Sequence, residues 1–247
     1  MSNNWIFLRG LTRGNVHWGD FPEIFMAANP GAQVEYLEIP GNGLLCNEVT
    51  PVDPEEVIKV LKNKSKLAQG NNTYHLCGIS LGGMIALKWC EMHEDSVESI
   101  TVINSSLPQN SSFYQRLKPR NYLTLLKILF TQDSYEQESH ILNMTSNNLL
   151  ETKKYLERYA NFSSTHKVTR MNFLRQLILA SKIRVKKIRP KKLFILSAAH
   201  DSLVHCLCSQ KIANDLEGEL LIHSSAGHDI PLDAPEWVAK HLVSRIN

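Results

Sequence analysis

Thr73-Tyr74-His75-Leu76-Cys77-Gly78-Ile79-Ser80-Leu81-Gly82-Gly83-Met84-Ile85-Ala86-Leu87 is the stretch that decides the fold. Its first five residues form a short apolar run of strand type, and its end opens an apolar helix. Between them stands a serine with a glycine two residues to either side. A strand that turns into a helix within so few residues forces the serine into a strained conformation, and the glycines leave room for the close backbone approach. Such a turn projects the Ser80 hydroxyl from the sheet edge. It also leaves the Leu81 amide free at a helix N-terminus, aimed where negative charge would develop on a substrate oxygen. The five-residue pattern alone occurs by chance in glycine-containing turns; the strand before it and the helix after it give it meaning.

Outward from this turn, short β-branched or apolar runs alternate with helical patterns, the signature of a mostly parallel sheet covered on both faces. Strands are expected at 5–8, 34–39, 73–77, 99–104, 192–197 and 219–223, giving an open sheet of about six strands. Helices are expected at 18–27, 54–69, 81–93, 204–216 and 235–246. The second begins with Asp53 ahead of Pro54 at the first helical position, and Glu55 and Glu56 lie near the positive end of its dipole. From 111 to 189 the strand rhythm stops. Apolar residues there fall at helical spacing, as in Leu125, Leu126 and Leu129 or Tyr155, Tyr159 and Phe162. This reads as a helical cap inserted into a core made of residues 1–110 and 190–247, placed over the C-terminal strand ends where open α/β sheets bind ligands.

A serine hydroxyl is a weak nucleophile at neutral pH and needs a histidine to take its proton and a carboxylate to fix that histidine's tautomer. Ten histidines are present. His228 lies in a loop between the last strand and the last helix, on the sheet edge that carries Ser80, and Asp201 follows the fifth strand onto the same edge. Asp229 would point away if His228 points in. His17, in the loop after the first strand, is the rival base. The second amide for an oxyanion is expected from Arg9-Gly10-Leu11-Thr12-Arg13, with Leu11 the donor, and Trp18 is a candidate for the substrate pocket or equally for the core.

Taken with Ile39-Pro40-Gly41-Asn42-Gly43 after the second strand, these segments resemble the α/β-hydrolase superfamily over nearly the whole chain. The chain order Ser80, Asp201, His228 is the order of that family. The resemblance implies a serine esterase working through an acyl-enzyme, with no cofactor and no metal. Its members carry a His-Gly pair where this chain has Arg9-Gly10, which implies a more basic pocket entrance. It also identifies the first strand with the family's third, so that an N-terminal hairpin is expected to be missing. In general layout, by its compact size and its basic helical cap, the chain most resembles the pimeloyl-acyl carrier protein methyl ester esterases of biotin synthesis, without a cap motif that carries over. A broad-specificity carboxylesterase or thioesterase on small acyl substrates and a non-catalytic binding module stay open beside that reading.

Composition is that of a globular protein: 43% hydrophobic and 21% charged residues in a chain of 247. Net charge is only +3, yet residues 113–192 hold 17 Lys and Arg against 5 Asp and Glu. So basic a cap would suit an acidic acyl carrier protein, and Arg170, Arg175, Lys186 and Lys187 are among its cations. His200, Asp201, His205, Cys206 and Cys208 cluster in sequence without a recognised zinc spacing, and helix packing accounts better for the cysteines. No nucleotide-binding fingerprint or nucleic-acid motif occurs. An N-terminus without a basic region, an odd count of five cysteines and no membrane-length apolar run predict a cytoplasmic monomer without a membrane span.

Overall fold

The computed structural model describes residues 3–186, 188, 190 and 192–244. Six strands, β1 (Asn4–Leu8), β2 (Gln33–Leu37), β3 (Tyr74–Ile79), β4 (Val97–Ile103), β5 (Lys192–Ala198) and β6 (Glu219–His223), form one parallel sheet in the order β2-β1-β3-β4-β5-β6. Strand period two divides the core between its faces. Ile6, Leu8, Leu76, Ile100 and Val102 point to one side, whereas Trp5, Phe7, Cys77, Ile79 and Ile103 point to the other. Helices α1 (Phe21–Ala28) and α11 (Pro235–Val243) close the second face through Phe21, Phe25, Val238 and Leu242. The first is closed by α2 (Pro54–Lys64), α3 (Leu81–Met92) and α9 (Cys206–Leu216), through Leu61, Ile85, Trp89 and Ile212.

Strand order reverses between β1 and β3, so the loops that leave those two strands diverge and open a crevice at their C-terminal ends. Ser80 and the Arg9-Gly10-Leu11 loop lie there. Over it sit the helices between β4 and β5: α4 (Phe113–Arg116), α5 (Tyr122–Phe130), α6 (Ser134–Thr145), α7 (Leu149–Thr165) and α8 (Arg170–Lys182). Tyr155 and Tyr159 of α7 and Leu142 of α6 pack on Leu232 of α10 (Ile230–Asp233), which fastens the cap to the body.

Several helix bounds differ from expectation for local reasons. The helix expected over 18–27 is a 3-10 turn at Asn15–Trp18 followed by α1, because Gly19 takes φ +61° and breaks the run. Asp53 caps α2 as expected, accepting from the amides of Glu55 (2.7 Å) and Glu56 (3.2 Å). That helix ends at Lys64 and not at residue 69, since Ser65 turns extended and bonds Glu35. The expected end of the last helix at residue 246 lies outside the described residues. No helix among the described residues is long and apolar enough to cross a membrane.

Candidate active site

Ser80 sits at φ +56°, ψ −118°, a region that non-glycine residues rarely enter. Its amide donates to the Ile103 carbonyl of β4 (2.9 Å), and its carbonyl accepts from Ser105 Oγ (2.7 Å). The turn closes because Gly82 rests on β1: a Cβ there would lie 2.3 Å from the Leu8 carbonyl oxygen. Gly10, after β1, packs beside the serine: a Cβ on it would stand 3.1 Å from Ser80 Cβ and 3.6 Å from Ser80 Oγ. Leu81 is the first residue of α3 and lines the same cavity as Ser80 and Leu11.

His228 and Asp201 meet as expected. His228 Nδ1 lies 2.7 Å from Asp201 Oδ2, and both residues are buried. The other carboxylate oxygen, Oδ1, accepts from the amides of Leu203 (2.7 Å) and Val204 (2.9 Å), which sets the plane of the carboxylate. Asn104, which sequence reasoning passed over, holds this pair in place. It ends β4 at φ +42°, accepts from the Ala198 amide of β5 (2.8 Å) and donates to the carbonyls of His228 (2.8 Å) and Gly227 (3.2 Å). Asparagine tolerates the left-handed region, and its side chain replaces a strand-to-loop backbone bond.

Arg9 does not make the entrance basic. It is 3% exposed and grips Asp229 with both terminal nitrogens, Nη1 to Oδ1 at 3.0 Å and Nη2 to Oδ2 at 2.5 Å. Burial alone would push Asp229 up, but Arg9 outweighs it and holds that carboxyl below its ordinary range. The guanidinium also lies 4.8 Å over the Trp18 ring. Trp18 is 1% exposed and packs against Phe7 and Phe21, so its place is the core and not the substrate cavity.

A second buried pair lies one turn further along the same loop. Arg13 Nη1 stands 2.7 Å from Glu138 Oε2 of α6, and Ser163 of α7 donates to Glu138 Oε1 at 2.7 Å. Although burial pushes Glu138 up, Arg13 keeps it well below the usual carboxylate range. His17 belongs to this network and not to the cavity of Ser80. Its Nδ1 accepts from the Gly14 amide at 3.0 Å, its Nε2 is 3.8 Å from Glu138, and Tyr159 covers its ring. Burial, aided by Arg13, lowers the imidazole from 6.5 to about 4. From α8, Gln176 accepts from the Thr12 amide (2.9 Å) and donates to Asn42 (2.6 Å), tying the loop that carries Leu11 to the cap.

The cluster around Asp201 is dispersed: His205 caps α9 by accepting from the Leu207 amide (3.2 Å), and Cys208 is buried. Among the described residues no group of three His, Cys, Asp or Glu could hold a metal. Ser80, Leu11, Leu81 and His228 open into one cavity of about 230 Å³. Its remaining wall is mostly apolar, with Met84, Ile128, Met144, Phe173 and Val204 among its side chains.

A parallel sheet of this order, with a serine elbow after β3 and a histidine-aspartate pair on the loops after β5 and β6, defines an α/β-hydrolase. The family described as "Serine aminopeptidase, S33" matches residues 54–234, and the chain belongs to it. No curated protein sequence matches. Among solved structures the chain is similar to a Rhodococcus esterase (TM-score 0.78, 11% identity, 99% of this chain and 90% of that one). It is also similar to a 2-hydroxy-6-oxo-6-phenylhexa-2,4-dienoate hydrolase of Rhodococcus (0.75, 13%, 98% and 90%). An enol-lactonase of Burkholderia xenovorans gives 0.73 at 14% identity over 99% and 91%. At these identities the likeness is one of fold.

Two outcomes follow from the buried polar groups. Asn104→Ala strands the Ala198 amide and the His228 carbonyl and puts alanine at positive φ, so unfolding in urea should show a loss of about 3 kcal/mol. A loss under about 1 kcal/mol would mean that water replaces the side chain. For His17, the unfolded chain binds a proton between its ordinary 6.5 and about 4 that the folded chain refuses. Stability therefore falls as pH drops through that window, by up to about 1.4 kcal/mol per pH unit. His17→Asn, which keeps an acceptor for the Gly14 amide, should flatten that slope in urea titrations at successive pH values. An unchanged slope would assign it to other groups.

Proposed function

We propose that the chain is a serine hydrolase that cleaves carboxylic esters of small to medium apolar acyl groups through an acyl-enzyme. The observation that carries this reading is the 2.7 Å contact of His228 Nδ1 with Asp201, on loops that share the apolar cavity of the strained Ser80. In this reading His228 Nε2 takes the Ser80 proton as Oγ adds to the ester carbonyl. The amides of Leu81 and Leu11 receive the oxyanion, and His228 then returns the proton to the departing alcohol. Water repeats the sequence on the acyl-enzyme and releases the acid. Asp201 stays ionised and fixes the tautomer. The two backbone amides at Asp201 Oδ1 hold the carboxylate in the orientation that this requires.

The narrower reading, a methyl ester carried on an acyl carrier protein, draws its support from the charge of the cap. Of the four cations singled out for it, Arg175 is spent on the Thr50 carbonyl (2.6 Å), and Lys187 lies outside the described residues. A free or membrane-borne ester fits the apolar cavity equally well.

A fluorophosphonate probe should label Ser80 and no other residue. Ser80→Ala and His228→Ala should each lower kcat on a short-chain p-nitrophenyl ester by about 10⁶-fold, and Asp201→Asn by about 10⁴-fold, with melting temperatures near that of the wild type. Wild-type protein that neither reacts with the probe nor turns over any ester of a chain-length series would be a binding module. Residual activity of Ser80→Ala within a few-fold of wild type would remove Ser80 from the reaction.

A further inference from the structure

The two helices beside the cavity mouth each carry a row of apolar side chains that faces solvent. On α5, Leu123, Leu126 and Phe130 are 75%, 53% and 62% exposed at spacing i, i+3, i+7, while Leu125 and Ile128 face the cavity. On α8, Met171, Leu174 and Ile178 repeat that spacing in the open, while the polar Asn172 and Gln176 are buried together with Leu179. Arg170, at the start of α8, donates Nε to the Leu129 carbonyl (3.0 Å) and lies 5.2 Å over the Phe130 ring, which sets the two faces side by side. Phe113 of α4 extends the rim: it is exposed and lines the cavity as well. A surface helix ordinarily keeps its solvent side polar, and so many neighbouring exposed apolar side chains are rare on a protein that only meets water.

Charge narrows the choice of what covers this face. Neither α5 nor α8 contains an Asp or Glu, and Lys127 and Lys182 stand exposed on them; Arg170, Arg120 and Lys167 are exposed as well, each also donating to a backbone carbonyl. The nearest acids in sequence, Asp133 and Glu136, come after α5 has ended. A second copy would bring the same cations against these. An acidic soluble protein would answer the cations but would leave two rows of leucine-sized side chains without an apolar partner. A surface that is anionic outside and apolar just beneath answers both.

We propose that the α5 and α8 face docks on an anionic lipid surface, with its apolar side chains at the headgroup and acyl boundary and its cations among the phosphates. The cavity mouth then opens toward the lipid, and the ester enters from that side. The entry route rests on the catalytic reading of Ser80; the docking does not.

Full-length protein is sedimented with vesicles of phosphatidylcholine alone or of phosphatidylcholine mixed with phosphatidylglycerol, at low and high salt. A water-soluble short-chain ester reports the active site separately. Wild type should partition onto the phosphatidylglycerol vesicles and far less onto the neutral ones. Leu126→Ser with Ile178→Ser should lower partition about tenfold at either salt, whereas Lys127→Gln with Lys182→Gln should lower it mainly at low salt. Both pairs should keep turnover of the soluble ester, since none of the four residues lines the cavity. If the serine pair lost that turnover, the single change Leu123→Ser would decide the matter by the same partition measurement. Wild type that stays in solution with both vesicles overturns the proposal, as does partition indifferent to the serine changes. A vesicle-independent dimer dispersed by the serine pair, or saturable binding of an acidic acyl carrier protein without vesicle binding, would overturn it in favour of that partner. Vesicle binding as described together with a wild type inert on every ester would sink the reading of Ser80 and leave the docking standing.

Discussion

A chain that leaves a strand and enters a helix through a single residue can hold that corner only if nothing stands behind it. Here the constraint is met by the contact of Gly82 with the carbonyls of Leu8 and Arg9, which lets α3 start directly against the end of β1. Everything at the site takes its position from that approach. The strained Ser80 is presented above the sheet, the Leu81 amide begins a helix with no carbonyl to bond, and the loop after β1 is brought within reach of the serine. The strand order places this corner where the crevice of the sheet opens, so the strain of one residue and the topology of six strands locate the same point.

Around this corner the protein buries full charges, and it does so in matched pairs. Arg9 with Asp229 and Arg13 with Glu138 stand in an interior where an unpaired ion would be strongly destabilising. Their geometry is directional, since each guanidinium fixes a carboxylate on a different element. Asp229 follows His228 in the chain, so the grip of Arg9 on it also limits where the histidine can sit. The pairs thus act as locating pins for the loops, and they leave the cavity wall itself mostly apolar.

Much of this was legible in the sequence. Ser80, Asp201 and His228 could be placed because each follows a strand-like run, and a parallel sheet sends every such loop to one edge. The helical insertion was visible as a change of period. What stayed hidden were polar residues whose role depends on distant partners. Arg9 reads as a cation at the pocket entrance until Asp229 is found opposite it, 220 residues away. Asn104 and Gln176 bond backbone groups, which carry no sequence signal. Trp18 could not be assigned to pocket or core without knowing that Phe7 and Phe21 pack against its ring. The open apolar faces of α5 and α8 escaped for another reason: periodicity shows that a helix has an apolar side but not which way the side looks.

The cap is joined to the body by more than its two ends. Glu138, the Thr145 carbonyl, Asn172 and Gln176 serve respectively Arg13, the Asp229 amide, the Thr50 amide and the Thr12 amide. These are groups of the body, and three of them belong to the loops that flank Ser80. The helical insertion is therefore not a detachable module laid over a finished enzyme. A shortened chain joining β4 directly to β5 would leave a guanidinium and several amides without partners inside the remaining structure. Grafting this cap onto a related body would succeed only where the recipient offered the same arginine and the same free amides.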